Sequence, residues 1–114
     1  MALIAVALPI IPEKMDAWRA FIDEITGPRK EQFNESRKRV GVRERTFVQD
    51  TPEGSLVVVT LEGDDPMGAF QRLVAVDDEF TNWFVSAVKD THGVDLRQQM
   101  PEAARPRQII DSGA

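Results

Sequence analysis

Ser55-Leu56-Val57-Val58-Val59-Thr60-Leu61 is the stretch whose reading decides the fold. Val57, Val59 and Leu61 fall on one side of an extended chain, and Leu56 and Val58 on the other. Successive strand residues point to opposite faces, so a strand with one wet face alternates apolar with polar. This one does not, and its sheet therefore has to be covered on both sides. A chain of 114 residues can lay helices over one face and has little left for the other. A second copy of the chain is the simplest cover, so the stretch predicts a homodimer.

Outward from that strand, the composition fits one ordinary domain spanning residues 1–114. Apolar residues make up 42% and charged residues 29% of the chain, within the globular range. There is no cysteine, which removes disulfides, thiolate metal sites and a cysteine nucleophile, and which suits a reducing compartment. The apolar run Ala2 to Leu8 is too short to span a bilayer and has no basic residue ahead of it. It reads as a buried strand in a cytoplasmic protein with no membrane partner. The net charge of -5 is uneven: the segment Arg29 to Arg45 carries seven basic and three acidic residues. Carboxylates interrupt that run and Phe33 is its only aromatic, so it reads as a solvated helix face and not as a nucleic-acid footprint.

In chain order, Ala2 to Leu8 is the first strand, its bulky set Ile4, Val6 and Leu8 suited to the helix side. Pro12 opens a helix at a position where a missing N–H costs nothing. Met15, Trp18, Ile22 and Ile25 recur at three- and four-residue spacing and turn one face to the sheet. Gly27-Pro28 breaks the helix, Phe33 and Val40 continue its buried side with Ser36 between them, and Gly41 ends it. Val42 to Gln49 is a charged strand expected at the rim of the sheet. The turn Thr51-Pro52-Glu53-Gly54 makes it an antiparallel neighbour of the organising strand. Asp65 and Pro66 start a helix with Phe70, Leu73 and Val74 buried. Asp77-Asp78-Glu79 restarts it, with Phe80, Phe84, Val88 and Thr91 as its stripe, until His92-Gly93. A proline-bearing connection from Val94 to Pro106 leads to a short last strand, Arg107 to Asp111.

Strand, helix, strand, strand, broken helix, strand is the split βαβ order. The expected fold is α+β and ferredoxin-like, with a four-stranded antiparallel sheet, helices on one face and a bare apolar face on the other. With the tail from Asp77-Asp78-Glu79-Phe80 through Trp83-Phe84 to His92-Gly93-Val94-Asp95-Leu96, the chain resembles small bacterial members of the dimeric α/β barrel superfamily. The resemblance implies two sheets packed face to face as a barrel. It covers nearly the whole chain but is one of architecture, and its relatives range from monooxygenases and heme-degrading enzymes to isomerases and stress-response proteins. Fold alone does not choose among them.

The superfamily implies a site between sheet and helices, and the candidate residues are Asn82, Trp83, His92 and Arg45. Similarity to cofactor-free monooxygenases implies an Asn and a Trp that position an aromatic substrate and a cation that stabilises an enolate. Adjacent residues sit about 100° apart around a helix, so Trp83 is expected to pack in the core while Asn82 is wet. His92, the sole histidine, is the one side chain whose unperturbed titration lies near neutrality; at the end of a helix it also reads as a cap opposite the negative pole. Trp83 and His92 stand on opposite faces of a continuous helix, and the first strand lacks asparagine, which argues against heme. Zinc lacks its usual nitrogen and sulfur ligands here, and the acidic pairs read as helix caps. No cofactor and no metal are expected.

The leading expectation is a small cytoplasmic homodimer that binds an apolar or aromatic metabolite between sheet and helices. A cofactor-independent monooxygenase or isomerase is the alternative, and a structural or interaction protein using the segment Arg29 to Arg45 is a third.

Overall fold

A computed structural model describes residues 2–98 and 105–113. Strand β1 (Ala2–Pro9) leads through a single 3-10 turn at Pro12–Lys14 into helix α1 (Met15–Thr26). After Gly27-Pro28 comes α2 (Lys30–Val40), then the hairpin of β2 (Val42–Thr51) and β3 (Gly54–Gly63). Helices α3 (Pro66–Ala75) and α4 (Glu79–His92) complete the elements.

The organising strand is the middle one. Among the described residues the sheet is antiparallel and three-stranded, in the order β1-β3-β2. The charged strand β2 lies at the rim, as its sequence predicts. Register puts Val6, Val59 and Thr46 in one row, and Leu8, Val57 and Val48 in the next. These rows face the helices. The core forms where Trp18 and Phe21 of α1 and Val88 of α4 close over Val57, with Ile10 at the margin. Burying each such side chain contributes about 1.5–3 kcal/mol, so this cluster holds the helices to the sheet.

Local signals set the element ends. Asp65 caps α3 by accepting from the Gly68 N–H at 3.2 Å, and Asp78 caps α4 by accepting from the Thr81 N–H at 2.7 Å. Each satisfies a backbone donor that the first helical turn leaves open. Gly41, at φ 74°, takes the left-handed conformation that ends α2 and lets the chain turn at once into β2.

The fold departs from expectation at the C-terminal end. Arg107 to Asp111 forms no strand, so the four-stranded ferredoxin-like sheet is corrected to three strands with four α-helices among the described residues. Ile109 and Ile110 are each 80% exposed. The physical reason is that adjacent residues of a strand point to opposite faces. Only one isoleucine of this charged five-residue segment could have reached the core, too little apolar surface to fix a strand. The middle of the predicted 94–106 connection, residues 99–104, lies outside the described residues.

The sheet face away from the helices is open. Leu3, Ala5, Ala7 and Phe47 are exposed on it, Phe47 at 56%, while Leu56 and Val58 are half-buried.

Candidate functional site

Between the sheet and the helices lies a cavity of about 480 Å³, within the size range of small-molecule sites. Its floor is the helix-facing side of the strands, including Val6, Val59 and Thr46, and its walls come from α1, α2, α3 and α4. Trp18, Phe21, Phe70 and Phe84 give it aromatic surface. Thr46 and Val48, exposed on the helix side of β2, mark where the helices stop short and the cavity opens.

The lining is almost wholly apolar, and the few polar groups occur at separate places. Arg37 and Glu44 meet at one end. They are paired by Arg37 Nε donating to Glu44 Oε1 at 2.9 Å, and Arg37 Nη1 donates to Ser36 Oγ at 2.9 Å. The guanidinium lies 4.0 Å from the centre of the Phe33 ring and 4.5 Å from that of Phe84. Both charges are nearly sealed, with side-chain exposures of 6% and 8%. Burial pulls the Arg37 pKa down and the Glu44 carboxylate partly restores it. A guanidinium nonetheless stays charged in proteins, so this is a buried ion pair.

His92 stands at the other end. Ile10 N–H donates to Ser55 O of β3, and Ile11 N–H donates to Thr91 O, which ties the chain just beyond β1 to the end of α4. That brings His92 Nδ1 to 2.8 Å from the Pro9 carbonyl. A carbonyl only accepts, so Nδ1 carries the proton and Nε2 keeps a lone pair. Burial lowers the imidazole pKa, opposed by the hydrogen bond to Pro9. The ring is a buried hydrogen-bond donor to β1 at the C-terminal end of α4.

Of the four residues that the sequence nominates, the structure brings only His92 to the cavity. Arg45 projects from the opposite face of the sheet, 3.6 Å from Glu62. Asn82 is exposed and ties a corner together: Arg97 Nη2 donates to its Oδ1 at 2.7 Å, and its Nδ2 donates to Asp77 at 3.0 Å. Trp83 packs against Phe21 and Phe80 and lies under Arg29, whose guanidinium is 4.2 Å from the ring centre. Arg29 also donates to both oxygens of Glu79, at 3.0 and 3.1 Å.

Arg37 and Glu44 are what sequence reasoning missed, hidden inside a segment read as a solvated charge run. The signal was present: Ser36 and Arg37 follow Phe33 at helical spacing on the inward side. Among the described residues no cluster of His, Asp and Glu is placed to hold a metal ion, and no helix is long and apolar enough to cross a membrane.

Comparison with family models, curated proteins and solved structures finds no match to this chain.

Proposed function

We propose that the protein binds a small, largely apolar molecule in the cavity between its sheet and its helices. The observation that carries this reading is the cavity itself: about 480 Å³ of space lined by apolar side chains, in a chain whose interior would otherwise close-pack. The few polar groups in the lining, chiefly Arg37, Glu44, His92 and Arg105, would orient a guest without demanding that it be charged. A ligand that binds only the folded state raises its stability in proportion to the logarithm of its concentration over Kd. Apolar probes of ten to fifteen heavy atoms are therefore expected to raise Tm in a concentration-dependent way. Thr46→Trp, which places a bulky ring at the mouth, is expected to abolish the rise. A panel of such probes that leaves Tm unmoved, or moves it equally in Thr46→Trp, refutes the reading.

The monooxygenase or isomerase alternative draws on Asn82, Trp83, Arg45 and His92, of which only His92 lines the cavity. Binding is for that reason preferred over turnover. The interaction-protein alternative needs free cations between Arg29 and Arg45. Arg29, Arg37, Arg39 and Arg45 already face Glu79, Glu44, Asp78 and Glu62 within the chain, which leaves Lys30, Lys38 and Arg43 without an ion pair among the described residues.

A second copy of the chain is the partner proposed for the open sheet face. What favours it is a face with Ala7, Val58 and Phe47 aligned in one row and Leu3, Glu62 and Arg43 in another. Isologous pairing needs a self-complementary patch. An apolar row beside a margin bearing both signs of charge meets that need.

A further inference from the structure

The Arg37–Glu44 pair is partly unused. Arg37 Nη2 and Glu44 Oε2 hydrogen-bond to no described residue. Among the described residues no fully buried side-chain nitrogen or oxygen lacks a partner, so both atoms keep contact with open space. Both residues line the cavity, and their side chains are more than nine-tenths buried, so the open space they border is the cavity. A guanidinium offers only donors and a carboxylate only acceptors. Side by side, they present a donor and an acceptor to whatever lies against them.

Resting on the reading of the cavity as a ligand site, we infer that Arg37 and Glu44 together hold a hydroxyl group at one end of an uncharged apolar ligand. The ligand oxygen accepts from Arg37 Nη2, and its hydrogen is donated to Glu44 Oε2. An ether satisfies only the first of these bonds. A carboxylate satisfies the first and sets its charge against Glu44, whose own charge Arg37 already balances. At its own end of the cavity, whose lining also holds a second cation in Arg105, the pair thus selects by hydrogen-bonding sense and disfavours anions, although an arginine in an apolar pocket would by itself suggest an anion site. The remaining length of the pocket suits an elongated molecule. Glu44 lies in the row of Ile4, and the carbonyl that holds His92 belongs to Pro9, five residues further along β1, a span of about 17 Å.

Calorimetric titration with decanol, decyl methyl ether and decanoate at pH 8 tests the inference. The wild type is expected to bind decanol about tenfold more tightly than either of the others, the size of one good hydrogen bond to a charged group. Glu44→Gln removes the opposing charge while keeping a partner for Arg37. It is expected to strengthen decanoate binding about tenfold, which brings decanoate level with decanol. Equal affinity of the wild type for decanol and decanoate, or an unchanged ratio in Glu44→Gln, overturns the assignment of the pair while leaving the cavity a ligand site. Should none of the three compounds bind, the cavity reading fails and takes this inference with it. If Glu44→Gln does not fold, the three wild-type affinities decide alone.

Discussion

Arg37 shows what a single side chain can be worth when its partner is sealed in with it. Taking two charges out of water costs several kcal/mol per ion, and the mutual attraction offsets that only while both are present. Arg37→Met would leave Glu44 buried and uncompensated, a loss of about 3–5 kcal/mol. Removing both charges as Arg37→Met with Glu44→Leu should restore most of it, and urea midpoints of the two variants check the order. His92 gives a titration with a definite sign. Its folded pKa lies below the ordinary 6.5 because burial disfavours the cation, so between the two values the unfolded chain binds more protons than the folded one. Stability contributed by the neutral ring is then complete above about 6.5 and declines as pH falls towards the folded pKa. His92→Gln should flatten that part of the curve, and melting temperatures from pH 7.5 to 5 compared with wild type measure the difference. Neither effect is visible in the sequence as such. Arg37 and Glu44 are seven positions apart, separated by the Gly41 turn, and each reads as an ordinary surface charge until the turn brings them together.

At the scale of elements, the local signals carried well. Gly27-Pro28 separates α1 from α2, Asp65 and Asp78 cap α3 and α4, and Gly41 and Gly93 end α2 and α4 at φ 74°. Each works within one turn of chain, so the residues that decide it are neighbours in sequence. The Asp78 cap also holds that carboxyl below its usual range, chiefly through the hydrogen bond from the Thr81 backbone. Asp78→Ala should cost about 1 kcal/mol of stability, read as a lower urea midpoint at pH 7. Asp78→Asn should retain most of it, since an amide oxygen caps nearly as well. Arg107 to Asp111 marks where local reading ends. A strand exists only against another strand, and nothing within that segment states whether a neighbour will accept it. The place of the cavity, between sheet and helices, was expected from the family resemblance alone, and the residue pattern does not give it for a related reason. A void is the difference between the volume enclosed and the side chains that fill it, and neither follows from a pattern of apolar positions.

For the whole molecule, the sheet is the common wall of two different surroundings. One side meets the helices and the cavity, and the other presents Leu3, Ala5, Ala7 and Phe47 to solvent. If a second copy covers that side, Ala7→Glu should prevent it, because a carboxylate in the middle of the row of Val58 and Phe47 would be desolvated without a partner. Light scattering at micromolar concentration is expected to give the mass of two chains for the wild type and of one for Ala7→Glu. A wild-type mass of one chain removes the dimer. The continuous apolar run in β3 announced that both sides of the sheet are greasy, and it could not say that one of them would hold an open chamber.

The chain has two tryptophans and no tyrosine, and the fold gives the two indoles different stations. Trp18 borders the chamber, whereas Trp83 is half-buried beneath the Arg29 guanidinium and does not line it. Ultraviolet emission from this protein is therefore the sum of an inward-looking lamp and a bystander. Replacing the bystander with phenylalanine would leave a chain whose glow comes from one indole, at the wall where a guest would arrive.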